Sequence, residues 1–140
     1  MGSLAQIEKV LFLQGVEVFS HCTASQILRI ASIAHERRFT SGEEAYRLND
    51  PADSIYCVVE GSVHLENAFN ESAVVGESAA FGVLEVLSGR ARDSTAIAET
   101  DTLALAIDGD DFFDLLSNNV EIVKALFRHL SGHAPNPVAW

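Results

Sequence analysis

A chain of 140 residues and 15.1 kDa with 48% hydrophobic content carries apolar material for one core, so a single domain over 1–140 is expected. Nine Lys and Arg against 20 Asp and Glu give a formal charge of −11, which repels a phosphate backbone and argues against direct nucleic-acid binding, although it also fits plain solubility. No apolar run approaches the ~20 residues that cross a bilayer, and the early stretch IEKVLFLQGVEVF lacks a signal-peptide cleavage pattern, so the chain reads as a cytoplasmic protein without membrane insertion of its own.

The pattern begins helical. IEKVLFLQ (7–14) is broken by Gly15, and VEVF (16–19) links it to a second helix. That helix opens on TASQ (23–26), a capping box in which the Thr hydroxyl and the Gln amide each satisfy a backbone N–H, and Ile27, Leu28, Ile30, Ala31 and Ile33 supply its apolar face. The helical lead-in is expected over 5–35.

From 36 to 107 the punctuation is that of short strands. SGE, NDPAD, EGS, NAFNES, VGES and ETD separate the runs EAYRL, SIYCVVE, SVHLE, STAIAE and TLALAI. Leu103, Leu105 and Ile107 alternate with Ala104 and Ala106, as in a strand with one packed face and one tight neighbour. Many short strands must stack two sheets to hide their apolar sides, which predicts a jelly roll.

Helical period returns at 108–131. Asp108 caps DDFFDLLSN, and VEIVKALFRHL runs to a C-terminal cap at Gly132. The fold class is therefore mostly β with flanking helices, a double-stranded β-helix of jelly-roll type. MGSL reads as a leader and GHAPNPVAW as a Pro-punctuated exit, so both ends look like cuts from a longer polypeptide.

Cys22 and Cys57 form neither a CxxC pair nor a disulfide framework and are read as reduced thiols. His21, His35, His64, His129 and His133 are scattered, without the HxH pair that a cupin-type metal enzyme needs, so no metal ligand and no catalytic residue is assigned.

The lead-in KVLFLQGVEVFS, the SGE turn with Gly42, the hairpin YCVVEGSVHL with Gly61, Gly76, the FG at Phe81 and Gly82, Arg92 and the closing DTLALAIDGDDFFDLL stand together in order. In these the chain resembles a cyclic-nucleotide-binding domain, the β-roll sensor of catabolite-activator-type regulators, kinase regulatory subunits and cyclic-nucleotide-gated channels. The resemblance implies a phosphate-binding cassette at FGVLEVLSGRARDSTA (81–96), with cAMP or cGMP as ligand and no other cofactor. Arg92 would take the phosphate, the backbone amides of Gly82, Val83 and Leu84 the same oxygens, and Ser94 the ligand edge, with Phe127 and Leu130 of the last helix as a lid.

Three departures point to a degenerate cassette. Val83 stands where the family has a ribose-binding Glu, a loss of about 1.5–3 kcal/mol or ten- to a hundredfold in affinity. Asp93 follows the Arg directly and would repel a phosphate by about 4 kcal/mol at 4 Å in a surface-like dielectric. Glu85 replaces a small residue and Ser94 the usual Ala. Glu85 lies two helical positions from the missing acceptor, on the wrong face to replace it. Arg92 is expected to pair instead with Asp93, Glu85 or another acid. The expected function is a non-catalytic regulatory module of a larger protein with weakened or lost cAMP/cGMP binding. The alternatives are an interaction module with a self-filled pocket and a cupin-type metal enzyme. Expected partners are other domains of the parent polypeptide, including a membrane-associated parent, and a second copy through the terminal helices.

Overall fold

The computed structural model describes residues 4–132. Two helices, α1 (Gln6–Gln14) and α2 (Ala24–Ser32), flank a 3-10 turn at Glu17–Phe19, and the strands follow as β1 (Ala34–Phe39), β2 (Glu44–Tyr46), β3 (Ser54–Glu60), β4 (Val63–Asn67), β5 (Ser72–Val75) and β6 (Ala80–Phe81). A short helix α3 (Val83–Ser88) leads to β7 (Ser94–Ala98) and β8 (Thr102–Asp108), and α4 (Gly109–Ser117) and α5 (Val120–Ser131) close the chain. The strands form two antiparallel four-stranded sheets, ordered β1-β8-β3-β6 and β2-β7-β4-β5. This is the jelly roll with flanking helices that the sequence predicts.

The caps form as read. Gln26 N–H donates to Thr23 Oγ1 at 3.3 Å and Thr23 N–H to Gln26 Oε1 at 2.8 Å, while Asp108 Oδ1 accepts from the amides of Asp110 and Asp111. Gly132 caps α5. The first strand starts earlier than expected. Ala34 already pairs with Ile107 and His35 with Ala106, so the roll begins two residues before 36. Its ladder to β8 overrides the helical pattern that runs through Ala34. EAYRL yields a strand only to Tyr46, because Asp50 accepts from the Arg47 amide and folds 47–50 into a turn.

Strand β8 lies between β1 and β3 and is buried on both faces. Leu105 and Ile107 join Ile55 and Cys57 under the helices, against Val10, Leu13, Phe19, Ile27, Ile30, Phe112, Ile122 and Leu126. Ala104 and Ala106 face the roll interior with Phe39, Tyr46, Tyr56, Val58, Leu65 and Phe81. The alternation of large and small side chains along β8 thus serves two cores, the small ones leaving room for rings. Burial pushes the Cys57 thiol up to about 12 and the Cys22 thiol to about 11, so neither is a ready nucleophile.

Gly61 joins β3 to β4 at φ +100, and a Cβ there would sit 2.6 Å from Asp101 O and 2.6 Å from Thr102 Oγ1. Gly61→Ala is expected to cost about 2 kcal/mol or more through a left-handed backbone combined with overlap. Urea denaturation against the parent chain measures it; an unchanged midpoint would show that the hairpin relaxes freely.

Candidate functional site: a cassette closed on its own arginine

Tyr56 on β3 pairs across the ladder with Phe81 on β6, and their rings stack with centroids 5.2 Å apart. Tyr46 of the second sheet tilts against both, at 6.2 Å from Tyr56 and 6.1 Å from Phe81. This aromatic wall ends at Gly82, whose φ of +74 turns the chain from β6 into α3.

Arg92 reaches back from the link between α3 and β7 and lies against that turn. Its side chain has 0% exposure. Nη1 donates to Gly82 O at 3.0 Å, Nη2 donates to Ser54 O at 2.5 Å, and Nη1 also meets Glu85 Oε1 at 3.4 Å. The guanidinium carbon sits 3.9 Å over the centre of the Tyr46 ring, and Asp53 Oδ1 lies 3.9 Å from Nη2 at the exposed rim. Its Nε, also buried, has no acceptor among the described residues. A Cβ on Gly82 would stand 2.5 Å from Nη1, so the glycine admits the chain's own cation. The backbone of Arg92 is fixed as well: its N–H donates to Asp50 O and its carbonyl accepts from Asn49 N–H.

The electrostatics follow from burial. Desolvation raises the Glu85 carboxyl above the usual carboxylate range, and Arg92 pulls it part of the way back. Desolvation likewise raises the Tyr46 phenol, opposed by Arg92 and by a hydrogen bond with Ser94. Ser94, at 3% exposure, is thereby engaged inside the fold.

A family model for the cyclic nucleotide-binding domain matches residues 36–119. The chain belongs to that family. It is 30% identical over 113 residues to a cyclic nucleotide-gated potassium channel of Mesorhizobium japonicum, a match that covers 81% of this chain and 31% of the channel. The chain thus spans about a third of that relative's length. The regulatory domain of Toxoplasma gondii protein kinase A with cAMP superposes with a TM-score of 0.78 at 19% identity, over 91% of this chain and 50% of the other. The regulatory subunit of a cAMP-independent protein kinase A from Trypanosoma brucei superposes with a TM-score of 0.71 at 18% identity, over 91% and 51%. That structure is a glutamate-to-alanine, threonine-to-arginine, valine-to-alanine mutant bound to cAMP in its A site. These two likenesses show the shared cyclic-nucleotide-binding fold.

Within this family frame, Gly82, Val83 and Leu84 form the start of α3, which no side chain caps among the described residues. Val83 is buried against the helical core with Val86. Asp93 is not the partner of Arg92: it pairs with Arg90 at 2.8 Å, both side chains 51% exposed, an ion pair of little energetic weight. The acid that faces Arg92 is Glu85, because one turn of α3 brings position 85 under Gly82 and toward the interior. Phe127 and Leu130 lie on α5, which packs on the 3-10 turn and α4; Phe127 is 66% exposed and Leu130 half-buried. Among the described residues no group of His, Cys, Asp and Glu is placed to hold a metal ion, and His133 lies outside them. Tyr46 and the Ser54 carbonyl escape sequence reasoning: one sits in a short strand among ordinary core positions, and the other is a backbone group with no residue signature.

Arg92→Met removes the cation from Glu85, whose carboxyl then rises further. The folded state holds that proton more tightly than the unfolded chain, so stability is retained at low pH and lost as pH climbs from the ordinary value of 4.5 through the raised one. The variant is expected to lose about 3–5 kcal/mol at pH 8 and clearly less at pH 5, and Arg92→Met/Glu85→Leu to recover most of the loss with a flat profile. Urea titrations at both pH values decide it; equal losses at both would place the cost elsewhere than Glu85.

Proposed function

We propose that this domain is a non-catalytic regulatory member of its family whose phosphate-binding cassette is filled by its own side chains, so that cAMP and cGMP do not bind in the micromolar range. The observation that supports this reading is the enclosure of Arg92, with both terminal nitrogens committed to Gly82 O, Ser54 O and Glu85. A phosphate would have to displace a carboxylate already at 3.4 Å, without a ribose acceptor at Val83 to offset the cost. No helix among the described residues is long and apolar enough to cross a membrane. The module serves in the cytoplasm, acting on other domains of a longer polypeptide through its packed surfaces rather than by chemistry.

The T. brucei mutant supports the role given to Glu85. Its glutamate-to-alanine and threonine-to-arginine changes are seven residues apart, with valine-to-alanine directly after. Glu85, Arg92 and Asp93 have the same spacing. This chain has the arginine, and it has acids at the two positions that became alanine there, one a glutamate and the other a valine before the change.

Calorimetry of the wild-type domain with cAMP and with cGMP is expected to show no heat of binding up to about 1 mM, whereas Glu85→Ala/Asp93→Ala binds cAMP at about 100 μM or tighter. Micromolar binding by the wild type that disappears in Arg92→Ala would overturn the reading. Silence in the double variant would mean that Glu85 and Asp93 are not what closes the site.

A further inference from the structure

The outward stripes of the last two helices are opposite in charge and alike in form. On α5, Val123, Lys124, Phe127, Arg128 and Ser131 line a surface groove, stacked along one side by their helical spacing. Phe127 is its exposed apolar centre. Lys124 is held by Glu121 at 3.3 Å. Every other described Lys and Arg also has a hydrogen-bond, carboxylate or ring partner, but Arg128 has none among the described residues. A guanidinium unmatched among the described residues stands out where acids outnumber bases 20 to 9 in the sequence.

The outward stripe of α4 is the counterpart. Asp110, Phe113, Asp114 and Ser117 follow at i, i+3, i+4 and i+7, all exposed, with Phe113 at 44%. It is an acidic face around one ring, as α5 presents a basic face around another. Both faces are turned to solvent, so they do not satisfy each other within one chain. A second copy brings each face a complement, and a twofold axis uses both faces twice.

We propose that the protein forms a twofold homodimer in which the Phe127 and Arg128 stripe of α5 seats on the Asp110, Phe113 and Asp114 stripe of α4 in the other copy. The net charge of −11 on each copy opposes approach at long range, but screening confines that repulsion to about 8 Å at physiological ionic strength. At contact the paired patches attract. Val120, 61% exposed, extends the apolar strip toward the roughly 1,000 Å² that a stable interface buries. The assignment stands whether or not a cyclic nucleotide binds.

Sedimentation velocity of the full chain between about 1 and 300 μM tests it. The wild type is expected to dimerise within that range, and Phe127→Asp, Arg128→Glu and Asp114→Arg each to weaken the dimer about tenfold or more. The double variant Arg128→Glu/Asp114→Arg rebuilds the ion pair in the reverse sense and should regain the dimer, an outcome that misfolding cannot imitate. A monomer at every concentration overturns the proposal and leaves the groove to a different partner. A dimer indifferent to Asp114→Arg, or no recovery in the double variant, overturns the pairing of α4 with α5.

Discussion

A guanidinium in a protein interior is the constraint around which this domain is arranged. Removing it from water costs several kcal/mol, a cost that only close partners offset. Tyr46 comes from one sheet, the Ser54 carbonyl from the other, and Gly82 and Glu85 from the turn into α3. Arg92 therefore ties both sheets and the short helix at one point, as a structural bond. The carboxylate of Glu85, seven positions away on the same chain, supplies negative charge beside that guanidinium.

Much of the fold was readable because its determinants are local. TASQ, Asp108 and Gly132 cap helices where their chemistry demands, and SIYCVVE and TLALAI become β3 and β8. β5 and β6 were lost among turns because four and two residues are too short to show a period. The start of β1 was hidden because Ile33 and Ala34 continue a helical pattern that only the distant ladder to β8 cancels.

The partner of Arg92 is legible in kind, an acid of the cassette, and open in identity. A buried acid opposite Arg92 follows from counting charges near the cassette, but choosing between Glu85 and Asp93 requires knowing that α3 turns position 85 inward while 93 emerges at the rim beside Arg90. Gly82 shows how fold and ligand chemistry separate: the absent side chain that lets a backbone approach a phosphate also lets it approach a guanidinium. Family membership thus fixes the frame and leaves open what fills it.

Strand β8 has a consequence for how the molecule comes apart. Leu105 and Ile107 wall the helical layer while Ala104 and Ala106 wall the roll, so one backbone segment is common to both interiors. Helices anchored on such a partition cannot peel away and leave the sheets intact, since either loss exposes the same strand to solvent. The layers are thereby bound into a single cooperative unit, with the β8 amides among the last to exchange with water.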